Sequence, residues 1–189
     1  MNRLLNYWNS HLPYIEGSVV DVSLSKLVTD ICGLINASSK VYTFGNGGSA
    51  ATAEHFAADL NLTQARVNRK ISAFCLSSQI STSTALANDF SFNDSCAMQI
   101  QNHLIAGDVL ILFTASGNSK NIISAVQAGL KLGASVHAFV GFEGGEVSKL
   151  AGINLIHVKS PVGQYGRIEN IHSAMCHFII DEVNNGSLS

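Results

Sequence analysis

Charge is scarce in this sequence. Asp, Glu, Lys and Arg make up 13% of its 189 residues against 47% hydrophobic residues, and the formal net charge is -2. The Lys and Arg residues are scattered, so no basic stripe is available to neutralise a phosphodiester backbone, and nucleic acid is not expected as a partner. Long apolar runs are missing too. VLILF at 109–113 falls far short of the roughly 20 residues of a spanning helix, and MNRLLNYWNS has no signal-peptide core. A soluble, cytoplasmic protein with no membrane partner is expected. Proline occurs only twice, and no repeat, low-complexity tract or linker divides the chain. One domain over 1–189 follows, with a helical segment over about 1–38 and the sheet and C-terminal helix over about 39–185. Cys32, Cys75, Cys96 and Cys176 stand singly in apolar surroundings without CxxC spacing, which reads as buried reduced thiols. So apolar a chain also implies that part of its surface is covered by further copies of itself.

What is present is alternation. The runs KVYTF (40–44), SAFCL (72–76), DVLILFT (108–114), SVHAFV (135–140) and NLIHV (154–158) read as buried strands. Helical periods fall at 49–65, at about 81–105 in two pieces, at 119–132, briefly near 144–151, and near 167–184. Two more precede the first strand, near 2–12 and 21–37. Such an order predicts an α/β fold: a doubly wound five-stranded parallel sheet flanked by helices, with N-terminal helices in front. Ligands of such sheets bind outside the carboxyl ends of the strands, which directs attention to the loops after 40–44 and 108–114.

The first of these loops, GNGGS at 45–49, opens a helix. Its Gly47 and Gly48 amides, with the Ser49 hydroxyl, can cradle an anion at the positive end of the helix dipole, although a glycine-rich turn also suits a crowded strand-to-helix crossing. It matches neither GxGxxG nor GxxxxGK[ST], which speaks against dinucleotides and nucleoside triphosphates. The second, TASGNSKN at 114–121, repeats the arrangement with Thr114, Ser116 and Ser119, the last being an equally good N-cap. Mostly neutral donors, with Lys120 at the far end of the second loop the one basic residue in either, suit a sugar phosphate better than a triphosphate.

FGNGGSAATAEHFAADL (44–60), ANDFSFND (87–94), GDVLILFTASGNSKNI (107–122) and RIENIHSAMCH (167–177) together resemble the phosphoheptose isomerases of the SIS (sugar isomerase) family. The resemblance runs in order over roughly 40–180. It implies a five-stranded parallel sheet in a homotetramer with sites at subunit interfaces. It also implies a zinc ion, and conversion of sedoheptulose 7-phosphate to D-glycero-D-manno-heptose 7-phosphate on the route to lipopolysaccharide or other surface glycans. By position, it implies that Ser49, Thr114, Ser116 and Ser119 hold the phosphate. Asn46 and Asp89 then belong to the sugar region, with Gly47, Gly48 and Glu169 beside the substrate. The same resemblance implies metal ligands at His55, Asp59, Glu169 and His177, with Asp59 and His177 standing where the family has its acid/base pair. Four positions depart from the family pattern: Asp59 stands where it has Glu, Glu169 where it has Gln, Ala115 where it has a hydroxyl residue, and Gly166 where it commonly has a polar one.

On a helix, His55 and Asp59 differ by about 40° and share a face, so the pair can hold one metal ion. Glu169 and His177 differ by about 80° and about 12 Å of axial rise. To meet at one ion, their side chains must converge from opposite ends of the site, or the helix must deform, or the ligands must come from different subunits. Ile168, Ile171, Met175, Phe178 and Ile179 form the core stripe of that helix, and His172 reads as a hydrogen-bonded structural residue. Aldose–ketose isomerisation needs a base, an acid and a means of stabilising an enediolate. A carboxylate, a histidine and a divalent ion supply these. Shortening Glu to Asp withdraws the carboxylate by about 1.5 Å, and displacement by about 1 Å can cost a hundredfold in rate. The competing expectation is a non-catalytic regulatory or scaffold protein of the same fold, binding a sugar phosphate or a replication initiator. Retention of His55, an acid at 59 and His177 favours the enzyme.

Overall fold

A computed structural model describes residues 2–16 and 20–186. Its centre is a five-stranded, all-parallel sheet of β1 (Val41–Gly45), β2 (Ala73–Cys75), β3 (Val109–Thr114), β4 (Ser135–Val140) and β5 (Asn154–His157), in the order β2-β1-β3-β4-β5. All five strand expectations hold to within a residue or two. Alternate residues of β3 show why: Ile111 and Phe113 enter one apolar core, Leu110 and Leu112 the other, so the continuous run is apolar because both faces are covered.

One face is covered by α3 (Asp21–Cys32), α4 (Gly48–Val67) and α8 (Tyr165–Asn185). The other is covered by α6 (Ser95–His103) and α7 (Lys120–Lys131). Between β2 and α6 runs α5 (Ile80–Asp89), none of whose side chains is buried.

Three boundaries differ from expectation. The segment near 2–12 is two short helices, α1 (Arg3–Asn9) and α2 (Leu12–Glu16). Pro13 explains the break, since it cannot donate to the carbonyl four residues back and its ring would collide there, whereas the first turn of α2 tolerates it. The helix from 21 ends at Cys32 rather than 37, before Gly33 and a left-handed Asn36 whose amide bonds to Lys70 O at 2.9 Å. The helix near 144–151 is a single 3-10 turn, Val147–Lys149.

The amino end of the sheet is tied to α3 by a buried polar cluster. His137 of β4 is fully buried. Its Nε2 lies 2.9 Å from Asp30 Oδ2, and its Nδ1 accepts from Asn154 Nδ2 at 2.8 Å. Ser135 Oγ donates to the same Asp30 oxygen at 2.6 Å, Asn154 also donates to Ser23 O, and Lys26 pairs with Asp30 at the surface. Burial pushes the His137 imidazole down to about 4, with Asp30 only partly opposing it. The ring is therefore neutral at pH 7, and its contact with Asp30 is an N–H···O⁻ hydrogen bond rather than an ion pair.

All four cysteines are free thiols, three of them buried. Among the described residues no helix is long and apolar enough to cross a membrane. Open large apolar side chains include two groups, Leu4, Leu5, Trp8 and Leu12 near the N-terminus and Ile80, Phe90 and Phe92 around α5.

Candidate active site

The strand order reverses between β1 and β3. From β1 the chain steps outward through α4 to β2, then returns across to β3 and continues toward the opposite edge. The crevice at the carboxyl ends of β1 and β3 is thus the switch point at which ligands of open α/β sheets bind. It holds a cavity of about 110 Å³ lined by Asn46, Ser49, Thr114, Ser116, Ser119 and Glu169, with Phe113, Ala115 and Tyr165 completing its wall.

Its two loops are held together by a reciprocal amide pair. Asn46 Nδ2 donates to Asn121 Oδ1 at 2.9 Å, and Asn121 Nδ2 returns a bond to Asn46 Oδ1 at 2.8 Å. Gly47 takes φ 54 at the entry to α4, a left-handed conformation that bulkier residues resist. Gly48 begins α4 against α8, and a Cβ there would collide with the carboxylate of Glu169.

In the second loop, Thr114 Oγ1 accepts from Gly117 N at 3.1 Å and Ser116 Oγ accepts from Asn118 N at 3.2 Å. With an acceptor lone pair engaged, each hydroxyl is left to donate its own proton to an anion. Ser119 occupies the N-cap position of α7, yet its side chain makes no capping bond, so capping does not consume it. Among the described residues no lysine or arginine lines the cavity.

Helices α4 and α8 pack together in matching direction. Gly48 meets Glu169 near the start of both, and seven and eight residues further on the ring of His55 lies edge-on to that of His177, 5.1 Å between centroids. There His55, Asp59 and His177 each offer a ligand atom, all within 4.8 Å of one another. His55 Nε2 is 3.3 Å from Asp59 Oδ2, and Arg66 Nη1 is 3.5 Å from Asp59 Oδ1. Two imidazoles and a carboxylate converging from neighbouring helices, open on the solvent side, form a donor set suited to a divalent ion that keeps a free coordination position. Neighbouring Cys176 contributes no thiolate, because burial and then the charge of Asp59 raise its thiol well above the usual range.

The expected four-ligand set therefore falls into three and one. His55, Asp59 and His177 come together, while Glu169 stands two turns earlier on an unbroken α8 and lines the cavity at the carboxyl ends of β1 and β3. Asp89 ends α5 at the surface, where its Oδ1 accepts from Asn88 Nδ2 at 2.9 Å, and does not line the cavity. Asn121 and Tyr165 were not among the residues singled out by sequence. Asn121 lay inside a quoted motif, but only the approach of the two loops gives it a partner, and Tyr165 lines the cavity from the start of α8. His172 is buried against the stacked rings of Phe139 and Phe113 and bonded to the Val140 backbone, and burial lowers its pKa to about 4, as suits a structural histidine.

Residues 21–141 match the SIS domain family model. The phosphoheptose isomerase of Colwellia psychrerythraea is 32% identical over 146 residues, 77% of this chain and 74% of that protein. That of Shewanella pealeana is 32% identical over 163 residues, 86% and 82% of the two chains. Among solved structures, phosphoheptose isomerase GmhA from Neisseria gonorrhoeae superimposes with a TM-score of 0.84 at 27% identity, covering 96% of this chain and 97% of the other. A phosphoheptose isomerase from Francisella tularensis gives 0.85 at 26% identity, covering 97% of both.

Proposed function

The chain belongs to the SIS domain family, and from that premise we propose that it is an aldose–ketose isomerase that converts sedoheptulose 7-phosphate to D-glycero-D-manno-heptose 7-phosphate for surface glycans. The observation that carries this reading is the pairing of two half-sites along the same two helices: a hydroxyl-lined cavity at their start and a His–Asp–His group two turns on. Along α8, Glu169 and His177 are separated by about 12 Å of axial rise, comparable to an extended heptose phosphate, so one substrate can address both.

In this reading Ser49, Thr114, Ser116 and Ser119 donate hydrogen bonds to the phosphate, helped by the amides of Gly47 and Gly48 at the head of α4. Asn46, held by Asn121, and the acceptor oxygens of Glu169 orient sugar hydroxyls. Asp59 removes the proton from C1 of the open-chain ketose. His177 assists ring opening and delivers a proton to C2, leaving the aldose. His55, Asp59 and His177 would hold a zinc ion, which when bound supplies Lewis-acid stabilisation of negative charge on the substrate oxygens. Glu169 is its fourth ligand only if its side chain reorients or an assembled neighbour changes the site. The open apolar side chains around α1 and α5 support a homo-oligomer, a tetramer on the family pattern.

Incubating zinc-loaded protein with sedoheptulose 7-phosphate and following the aldose by NMR tests the reaction. The expected result is turnover in the wild type and a loss of 10²- to 10⁴-fold, on the order of a general acid–base contribution, in His177→Ala. Absence of turnover with any heptulose phosphate in the metal-loaded wild type would sink the assignment.

A further inference from the structure

The two carboxylate oxygens of Asp59 have different neighbours. Oδ2 faces His55 inside the three-residue group, while Oδ1 faces the guanidinium of Arg66 outside it. Arg66 lies seven residues further along α4, about 20° away in direction, so it stands two turns beyond Asp59 on the same stripe. Helical side chains lean toward the helix N-terminus, and that is the direction in which Arg66 must reach. A basic residue in the last turn of a helix is favoured by the macrodipole. That preference explains its charge but not its approach, at 3.5 Å, to one oxygen of a carboxylate only 15% exposed.

We propose that Arg66 is a positioning residue for the divalent ion, one that engages Oδ1 of Asp59 so that Oδ2 is presented toward His55 and His177. The proposal rests on the reading that this group binds such an ion. An aspartate reaches less far than a glutamate and has fewer torsions with which to correct its aim, so an outer partner matters more to it. Ligating carboxylates are commonly fixed in this way, and loss of the outer partner costs about 10- to 100-fold in metal affinity. The guanidinium charge also repels the ion, but that contribution is screened by salt at a half-exposed arginine. The fixing of Oδ2 is not screened.

Calorimetric titration of zinc into the metal-free full-length protein separates the two effects. Arg66→Ala is expected to bind zinc at least about tenfold more weakly than wild type, at both low and high salt. Arg66→Lys, which keeps the charge but loses the planar fork, is expected to fall between them. The metal-free thermal midpoint should change little, because at 3.5 Å a half-exposed arginine contributes little to folding. Affinity equal to or tighter than wild type in Arg66→Ala would overturn the proposal, as would an effect that vanishes at high salt. If the wild type itself takes up no zinc, the metal reading fails with it. If the wild type binds and Arg66→Ala binds equally well, only the role of Arg66 fails.

Discussion

Among the described residues two histidine–carboxylate clusters stand out, one between β4 and α3 and one between α4 and α8, and similar residue types are put to opposite use in them. At the amino end, Asp30, His137, Ser135 and Asn154 close on one another, and both nitrogens of the histidine are engaged. Two turns into α4 and α8, His55, Asp59 and His177 turn ligand atoms toward a common point from neighbouring helices, and both histidines are exposed. A buried polar group stabilises only if its partners are present, so the first cluster must be complete within the chain. The second has spare donor capacity facing solvent, which a ligand can use. What distinguishes a site from a structural network here is unspent coordination, not the identity of the side chains.

The sharpest way to break this contrast is to remove the central carboxylate of the open cluster. Asp59→Ala should lower turnover by about 10²-fold or more and weaken zinc binding, while changing folding stability by less than about 1 kcal/mol. Steady-state kinetics, calorimetric titration and denaturant unfolding measure the three quantities. Retained turnover would remove the open cluster from the chemistry.

The closed cluster should respond the other way round. His137→Leu fills the space but removes a donor to Asp30 and an acceptor for Asn154, and should cost about 2 kcal/mol of stability by denaturant unfolding. The loss is held to that size because Asp30 keeps Lys26 and Ser135, and Asn154 keeps Ser23 O. Catalytic rate per folded molecule should be unchanged. A fall in rate without a fall in stability would mean that this end of the sheet communicates with the site.

Sequence and structure agree best where the physics is local. The five apolar runs became five strands because a strand buried on both faces needs no distant information to be read. The hydroxyl-bearing turns were legible for the same reason: Thr114, Ser116 and Ser119 lie within one loop after one strand. The Asn46–Asn121 pair joins residues 75 apart, and the His137–Asp30 bond residues 107 apart. Neither can be read before the strand order is known. SVHAFV reads as a strand whether its histidine is buried or not, and Asp30 in α3 carries no sign in sequence of the partner it will meet. The separation of Glu169 from His177 was foreshadowed by their 12 Å of axial rise. Which of the two would face Gly48 depended on how α8 packs against α4.

The smallest expected effect tests whether the closed cluster is closed to protons as well. In the folded chain His137 titrates at about 4 because burial disfavours its charged form; once unfolded it should titrate near 6.5. Above pH 6.5 both states are neutral and the group has no influence. As pH falls below 6.5 the unfolded chain takes up a proton that the folded chain refuses, so stability declines by up to about 1.4 kcal/mol per pH unit from this histidine. The decline stops near pH 4, where the folded state accepts the proton too. Asp30, whose pKa lies below 3.8 despite its burial because Lys26, Ser135 and His137 favour the carboxylate, contributes outside this window. Denaturant unfolding of wild type and His137→Leu between pH 7 and pH 4 should therefore give two curves that converge with acid and cross at about pH 5, the variant having lost one histidine's share of the slope. His172, lowered to a similar value in the core near Phe113 and Phe139, keeps its own share in both proteins and serves as the internal reference. Parallel curves would mean that folding does not depress the proton affinity of His137, so that in acid its bond to Asp30 becomes an ion pair in the folded chain.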